Sequence, residues 1–151
     1  MTQTQKPLGL ASDHAGFELK QFVKTYLDKH AIPYKDYGTL STDSCDYPDY
    51  AHALARGIES GEVEKGIAIC GTGEGISMTL NKHAAVRAAL CWIPEIAKMT
   101  RLHNDANVLV LAGRYTTPTL AEPIIETFLS TPFEGGRHQR RIEKMSLKGI
   151  F

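Results

Sequence analysis

The chain has no long apolar run. No stretch approaches the roughly 20 apolar residues that a membrane-spanning helix needs, and the opening MTQTQKPLGLASDH lacks the charged-then-apolar order of a secretory signal. Nor does it have an excess of either charge: Lys plus Arg and Asp plus Glu both number 17. A balanced chain lacks the basic field that draws nucleic acid or an anionic membrane, and a neutral surface favours self-association. Cysteine is scarce. Cys45, Cys70 and Cys91 are odd in number and far apart, so they offer neither a CxxC pair nor a zinc spacing. They read as reduced thiols of a cytoplasmic protein. Repeats, low-complexity tracts and linkers are missing too.

What is present suits one domain over residues 1–151. Hydrophobic residues make up 42% and charged residues 23%, an ordinary balance for a chain that buries a real core. Short apolar runs alternate with amphipathic stretches from end to end. LGLAS, IPYKDYG, GIAIC, VRAALCW and NVLVLAG read as strands. Between them lie helical stretches: GFELKQFVKTYLDKH, a segment opened by Pro48 and closed by Gly61, ISMTLNKHA, PEIAKMTRLHND and TPTLAEPIIETFLS. RHQRRIEKMSLK closes the chain as a last helix. Apolar strands separated by helices predict an α/β fold, a three-layer Rossmann-like sandwich on a five-stranded parallel sheet. In such sheets ligands bind beyond the carboxyl ends of the strands.

The densest signal is GIAICGTGEGIS, Gly66–Ser77. A dinucleotide fingerprint needs glycine where Ile76 stands, and a P-loop needs lysine where Thr72 stands. Both readings fail at a residue that carries phosphate chemistry. Alternating glycines at a strand-to-helix turn can still aim backbone amides at an anion. Cys70 sits at the lip of this turn, where a thiol is a candidate base or nucleophile. Ser12-Asp13-His14 ends the first strand; Ser12 or Asp13 suits helix capping, which leaves His14 unexplained. His103 in RLHNDAN and Arg114 after LVLAG add further polar groups expected at the same edge. Arg137, Arg141, Lys144 and Lys148 form one basic helical stripe with His138 beside it. Arg137 and Arg141, one turn apart, can clamp a phosphate. Only Ile142 and Met145 line the apolar side of this helix, which predicts that it packs on a partner subunit.

SDHAGFELK, DYPDYA, ICGTGEGISMTLNK, RLHNDANVL and EGGRHQRRIEKM, in that order, resemble the type B ribose-5-phosphate isomerases. These share a superfamily with the galactose-6-phosphate isomerase subunits. The likeness runs from Leu8 to about Met145. It implies a homodimer, in some members paired into a tetramer, with active sites between subunits. It also implies interconversion of ribose 5-phosphate and ribulose 5-phosphate without metal or organic cofactor. Carried onto this chain, it makes Cys70 the base that moves a proton between C2 and C1. Thr72 and the amides of Gly71, Gly73 and Gly75 steady the oxyanion, with Glu74 in the same loop. His103, assisted by Asp13, opens the sugar ring. His14, Tyr47 and Asn104 hold hydroxyls, and Arg114, Arg137, His138 and Arg141 bind the phosphate.

Some family members lack the cysteine and use a glutamate base, which would align with Ile76 and not with Glu74. Cys70 is therefore the expected base, with Glu74 as the competing residue. The alternatives are a galactose- or allose-6-phosphate isomerase and, in another class, a non-catalytic nucleotide-binding module.

Overall fold

A computed structural model describes residues 5–147; Lys148, the end of the basic stripe, lies outside them. The strands are β1 (Leu8–Ser12), β2 (Tyr34–Asp36), β3 (Gly66–Cys70), β4 (Ala88–Leu90) and β5 (Val108–Ala112). The helices are α1 (Phe17–Lys29), α2 (Tyr47–Glu59), α3 (Glu74–Leu80), α4 (Pro94–Asn104), α5 (Pro118–Ser130) and α6 (Arg137–Glu143). The strands form one all-parallel sheet in the order β2-β1-β3-β5-β4, the expected Rossmann-like architecture. No helix among the described residues is long and apolar enough to cross a membrane.

The strand order decides which helix covers which face. The chain moves one way from β1 to β2, the other way from β2 through β3 to β4, and back to β5. Right-handed crossovers then put α1 and α4 on one face and α2 and α3 on the other. The two cores follow this division. Leu10, Ile67, Ile69, Leu109 and Leu111 meet Val23 of α1, Ala97 of α4 and Phe128 of α5. Ala11, Ala68, Cys70, Val108 and Val110 meet Leu54 of α2 and Ile76 and Leu80 of α3. The period-2 alternation of a strand thus aims Ile67 and Ile69 one way and Ala68 and Cys70 the other. All five residues of β1, β3 and β5 are buried, as central parallel strands require.

The bounds of four elements differ from expectation. α3 begins at Glu74 because Gly73, at φ +78°, makes the turn into it. It ends at Leu80, where the Asn81 side chain exchanges two hydrogen bonds with the backbone of Ala88, Nδ2 to O at 2.9 Å and N to Oδ1 at 2.8 Å. β2 and β4 are only three residues long and lie at the sheet edges. α6 stops at Glu143 and docks on α4 of its own chain, with His138 buried beneath it. Met145 and Leu147 remain exposed beyond it.

Candidate active site

The site begins where β1 and β3 lie side by side while their outgoing connections diverge, the crevice at which doubly wound sheets hold ligands. Three loops meet there, after β1, β3 and β5. They meet backbone to backbone because glycine stands at each contact. A Cβ on Gly16 would lie 2.5 Å from the Ile69 carbonyl oxygen. One on Gly113 would lie 2.9 Å from that of Ala15. The Gly113 and Arg114 amides donate to Cys70 O at 2.8 Å and to Gly71 O at 3.0 Å. The loops are therefore one unit, and Cys70, 4% exposed, is at its centre.

Around this thiol the expected groups assemble. Asp13 is buried, and its Oδ1 accepts from the Gly16 amide at 3.0 Å, which shapes the turn into α1. The capping expectation is corrected: the cap position of α1 is Gly16, which carries no side-chain cap, and neither Ser12 nor Asp13 occupies it. Arg114 lies across the glycine loop, its guanidinium 3.3 Å from where a Gly71 Cβ would be. The first helical hydrogen bond of α3 runs from the Ser77 amide to Gly73 O. The amides of Glu74, Gly75 and Ile76 therefore precede the helical ladder, where orphan donors collect. Thr72 Oγ1 accepts from the Glu74 amide at 3.2 Å, and the Glu74 side chain is exposed. Tyr47, at the start of α2, lies over Gly75, its hydroxyl 2.8 Å from where a Cβ would stand.

His14 is oriented by a residue that sequence reasoning treated as bland. The Cys45 amide donates to His14 Nδ1 at 3.2 Å. That bond makes Nδ1 an acceptor, so neutral His14 carries its proton on Nε2. The loop that brings Cys45 there is tied down by a buried lysine. Lys20 is 1% exposed; its Nζ donates to Asp36 Oδ1 at 2.7 Å and to Thr39 O at 2.5 Å. Burial pushes Lys20 down, and its bond to Asp36 opposes that. At Asp36, burial favours the neutral acid, but hydrogen bonds from Lys20, Lys24 and the Gly38 amide hold it below its usual range. The sequence signal for Lys20 was a lysine at i+1 of the apolar Leu19 in α1, which its helical pattern alone places near the boundary.

The remaining expected residues are not at this edge. β3 and β5 run in register from Gly66–Val108 to Cys70–Ala112. His103 and Asn104 end α4, which feeds the start of β5. They therefore sit beside the amino end of the sheet, about 13 Å of strand from Cys70. The expectation of one shared edge for His103 is corrected: a residue between a helix and its following parallel strand lies opposite the strand tips. There it joins α6. The rings of His103 and His138 stack, with centroids 4.2 Å apart and planes 13° apart. Glu134, which sequence reasoning missed, faces both from 3.7 and 3.9 Å. Arg137 and Arg141 are exposed on α6.

His103, Glu134 and His138 bring ligand-type atoms within 4.8 Å of one another. Nearly parallel stacked rings direct their in-plane lone pairs side by side, so no single ion lies in both ring planes as they stand. The cluster fits imidazole chemistry better than metal ligation.

Known proteins share this arrangement of sequence and fold. A family model for Ribose/Galactose Isomerase matches residues 8–145. Ribose-5-phosphate isomerase B of Escherichia coli is 42% identical over 141 residues, 93% of this chain and 95% of that one. The crystal structure of a Thermotoga maritima ribose 5-phosphate isomerase is 51% identical, with a TM-score of 0.91 over 94% of this chain and 98% of that chain. The Mycoplasma genitalium ribose-5-phosphate isomerase B, solved with bound ribulose 5-phosphate, is 40% identical, with a TM-score of 0.87 over 92% and 93% of the two chains. A match over nearly the whole length, on a sheet whose carboxyl edge gathers a thiol, a carboxylate and a glycine-rich turn, makes this chain a member of the ribose/galactose isomerase family.

Proposed function

We propose that the chain interconverts D-ribose 5-phosphate and D-ribulose 5-phosphate, in active sites each built from two copies of the chain. The observation that carries this reading is the division of the expected residues. Cys70, Asp13, His14, the glycine loop and Arg114 occupy the carboxyl edge. His103, Asn104, Arg137 and Arg141 occupy the opposite edge. An aldose–ketose isomerase needs a base, an oxyanion hole, a ring-opening acid/base and a phosphate anchor. Neither edge holds all four, and the two are complementary.

An exposed apolar surface supports pairing. Trp92 (62%), Ile93 (48%), Ile96 (39%) and Met99 (37%) run along one side of α4 and its approach. Such a row on a neutral protein is the kind of surface a second copy covers. We take the assembly to be a homodimer, which can pair further into a tetramer. Its three free thiols suit a reducing compartment such as the cytoplasm.

The chemistry follows from the placement. Arg114 of one chain and Arg137 and Arg141 of the other hold the phosphate, remote from the reacting carbons, so its binding energy positions a small substrate. His103 and Asp13 move a proton between O1 and the ring oxygen, which opens the furanose. His14, Tyr47 and Asn104 hold the hydroxyls of the open chain. Cys70 takes the proton from C2 and returns it to C1. The negative charge that develops on the enediolate oxygen meets the amides of Gly71, Gly73 and Gly75 and the Thr72 hydroxyl. One such donor contributes about 3 kcal/mol to the transition state. Every step is a proton transfer between these groups, so no cofactor enters the scheme.

The test is a steady-state assay of the purified chain on ribose 5-phosphate, with allose 6-phosphate in parallel. Turnover of the pentose is expected, with Cys70→Ala losing at least about a hundredfold in kcat. A Cys70→Ala variant that keeps most of its activity, with an inactive Glu74→Gln, would move the base to Glu74.

A further inference from the structure

His138 does not sit as a phosphate ligand sits. Arg137 and Arg141 are exposed and free to reach an anion, whereas His138 is 5% exposed. Its Nε2 is buried without a hydrogen-bond partner. What it does touch is His103: the two rings lie flat against each other at 4.2 Å. Glu134 stands at the edge of both, with Oε2 3.7 Å from His103 Nε2 and Oε1 3.9 Å from His138 Nε2. One carboxylate thus serves two imidazoles, one oxygen to each.

We propose that His138 and Glu134 are positioning residues for His103, the buried ring fixing its plane and the carboxylate holding a proton on it. This rests on the reading of His103 as the ring-opening group. Two imidazoles stacked this closely do not both charge readily, because each positive ring disfavours the other. Burial, then His103, Arg137 and Arg141, push His138 toward its neutral form, and Glu134 alone opposes them. The charged groups facing the pair are Glu134 from the segment before α6 and Arg137 and Arg141 from α6 itself. Of the two rings, His103 is the one whose side chain is 34% exposed and open to substrate, so it is the ring from which a proton can be delivered. A protonated His103 donates from both nitrogens, which is what delivery of a proton to a ring oxygen requires. His138 beneath it keeps that donor in a fixed plane.

Glu134→Gln, His138→Ala and His138→Phe separate this role from phosphate binding. Glu134→Gln and His138→Ala are each expected to lower kcat about tenfold with KM within about twofold. Inhibition by inorganic phosphate should be unchanged. His138→Phe restores a flat ring beneath His103 and should recover part of the His138→Ala loss. In Glu134→Gln the limb of the kcat–pH profile in the histidine range should move to lower pH. A tenfold rise in KM and in the phosphate inhibition constant for His138→Phe, with kcat intact, would make His138 a phosphate ligand and overturn the proposal. So would an unchanged pH profile in Glu134→Gln. A wild-type chain inactive on ribose 5-phosphate would sink the functional reading instead. In that case ring-nitrogen NMR titration of the unliganded protein decides the inference. One proton shared by the two rings, displaced in Glu134→Gln, upholds it; two independent protonations refute it.

Discussion

Cys70→Ala and His103→Ala should each silence the enzyme alone and restore it together. Take the two lesions on separate chains of one dimer. One site receives both lesions; the other receives Cys70 from one chain and His103 from its partner, and is whole. Chains carrying different affinity tags, co-expressed and purified through both, are all mixed dimers. They should show about half the wild-type activity per dimer, because one of two symmetric sites works. An untagged random mixture, half of it mixed dimers, should show about a quarter. The control comes from the same geometry. Asp13 and Cys70 share the carboxyl edge, so each site of a Cys70→Ala/Asp13→Ala dimer lacks one of them and the pair stays silent. Residual activity of the single variants sets the floor, about a hundredfold or more below wild type. Silence of the Cys70→Ala/His103→Ala dimer would refute the shared site, and so would activity of the control pair.

Other consequences are structural. Gly16→Ala forces a Cβ to 2.5 Å from the Ile69 carbonyl, which is backbone and cannot swing aside; urea unfolding should show a loss of about 2–3 kcal/mol. Lys20→Met removes one partner of a buried pair while Lys24 still reaches Asp36 at 2.5 Å, so a loss of about 3 kcal/mol is expected at neutral pH. Asp36 is held below its unfolded value by these lysines. Its contribution is present above about pH 4 and is lost as pH falls through its lowered folded value. Unfolding curves of wild type and Lys20→Met should therefore converge on acidification, and a constant gap would exclude the pair as the cause. Burial pushes the Cys91 thiol up to about 12, so in the native protein an alkylating reagent should label Cys45 first and spare Cys91 until the chain unfolds, as peptide mass spectrometry would read.

The sheet was legible in the sequence because its interior strands carry their own signature. LGLAS, GIAIC and VLVLA are apolar on both faces, which only a doubly covered parallel strand requires. Strand order was not legible. It depends on which β-edge is open when each strand arrives, and no residue of β4 or β5 records that. The carboxyl-edge site was readable for the same reason as the sheet: Asp13, Cys70 and Arg114 each follow directly on such a strand. His103 was misplaced because its neighbours Asn104 and Asp105 read as a helix stop near a strand, and the stop says nothing about which end of the strand is near. Cys45 and Glu134 were invisible as site residues. Each acts through tertiary approach, the one by a backbone amide on His14 and the other by a carboxylate between two rings.

The separation of the two half-sites constrains how the chain can work. In a parallel sheet every strand tip points one way, so groups on helix-to-strand connections are held away from groups on strand-to-helix connections by the length of the strands between them. The four steps of a five-residue strand keep them about 13 Å apart, farther than a pentose phosphate can bridge to a base and a ring-opening acid on the same chain. The two-fold pairing we propose would remove the obstacle without lengthening any loop, because one contact between unlike edges is repeated by symmetry and makes two sites at once. The short, glycine-tied loops around Cys70 then become an advantage. In the dimer we propose, they hold base and oxyanion donors on one chain, while the ring-opening histidine and the phosphate arginines arrive on the α4–α6 pair of the other. On that proposal, precision at each site rests on how two chains dock, and the exposed row from Trp92 to Met99 is the surface on which the docking can be set.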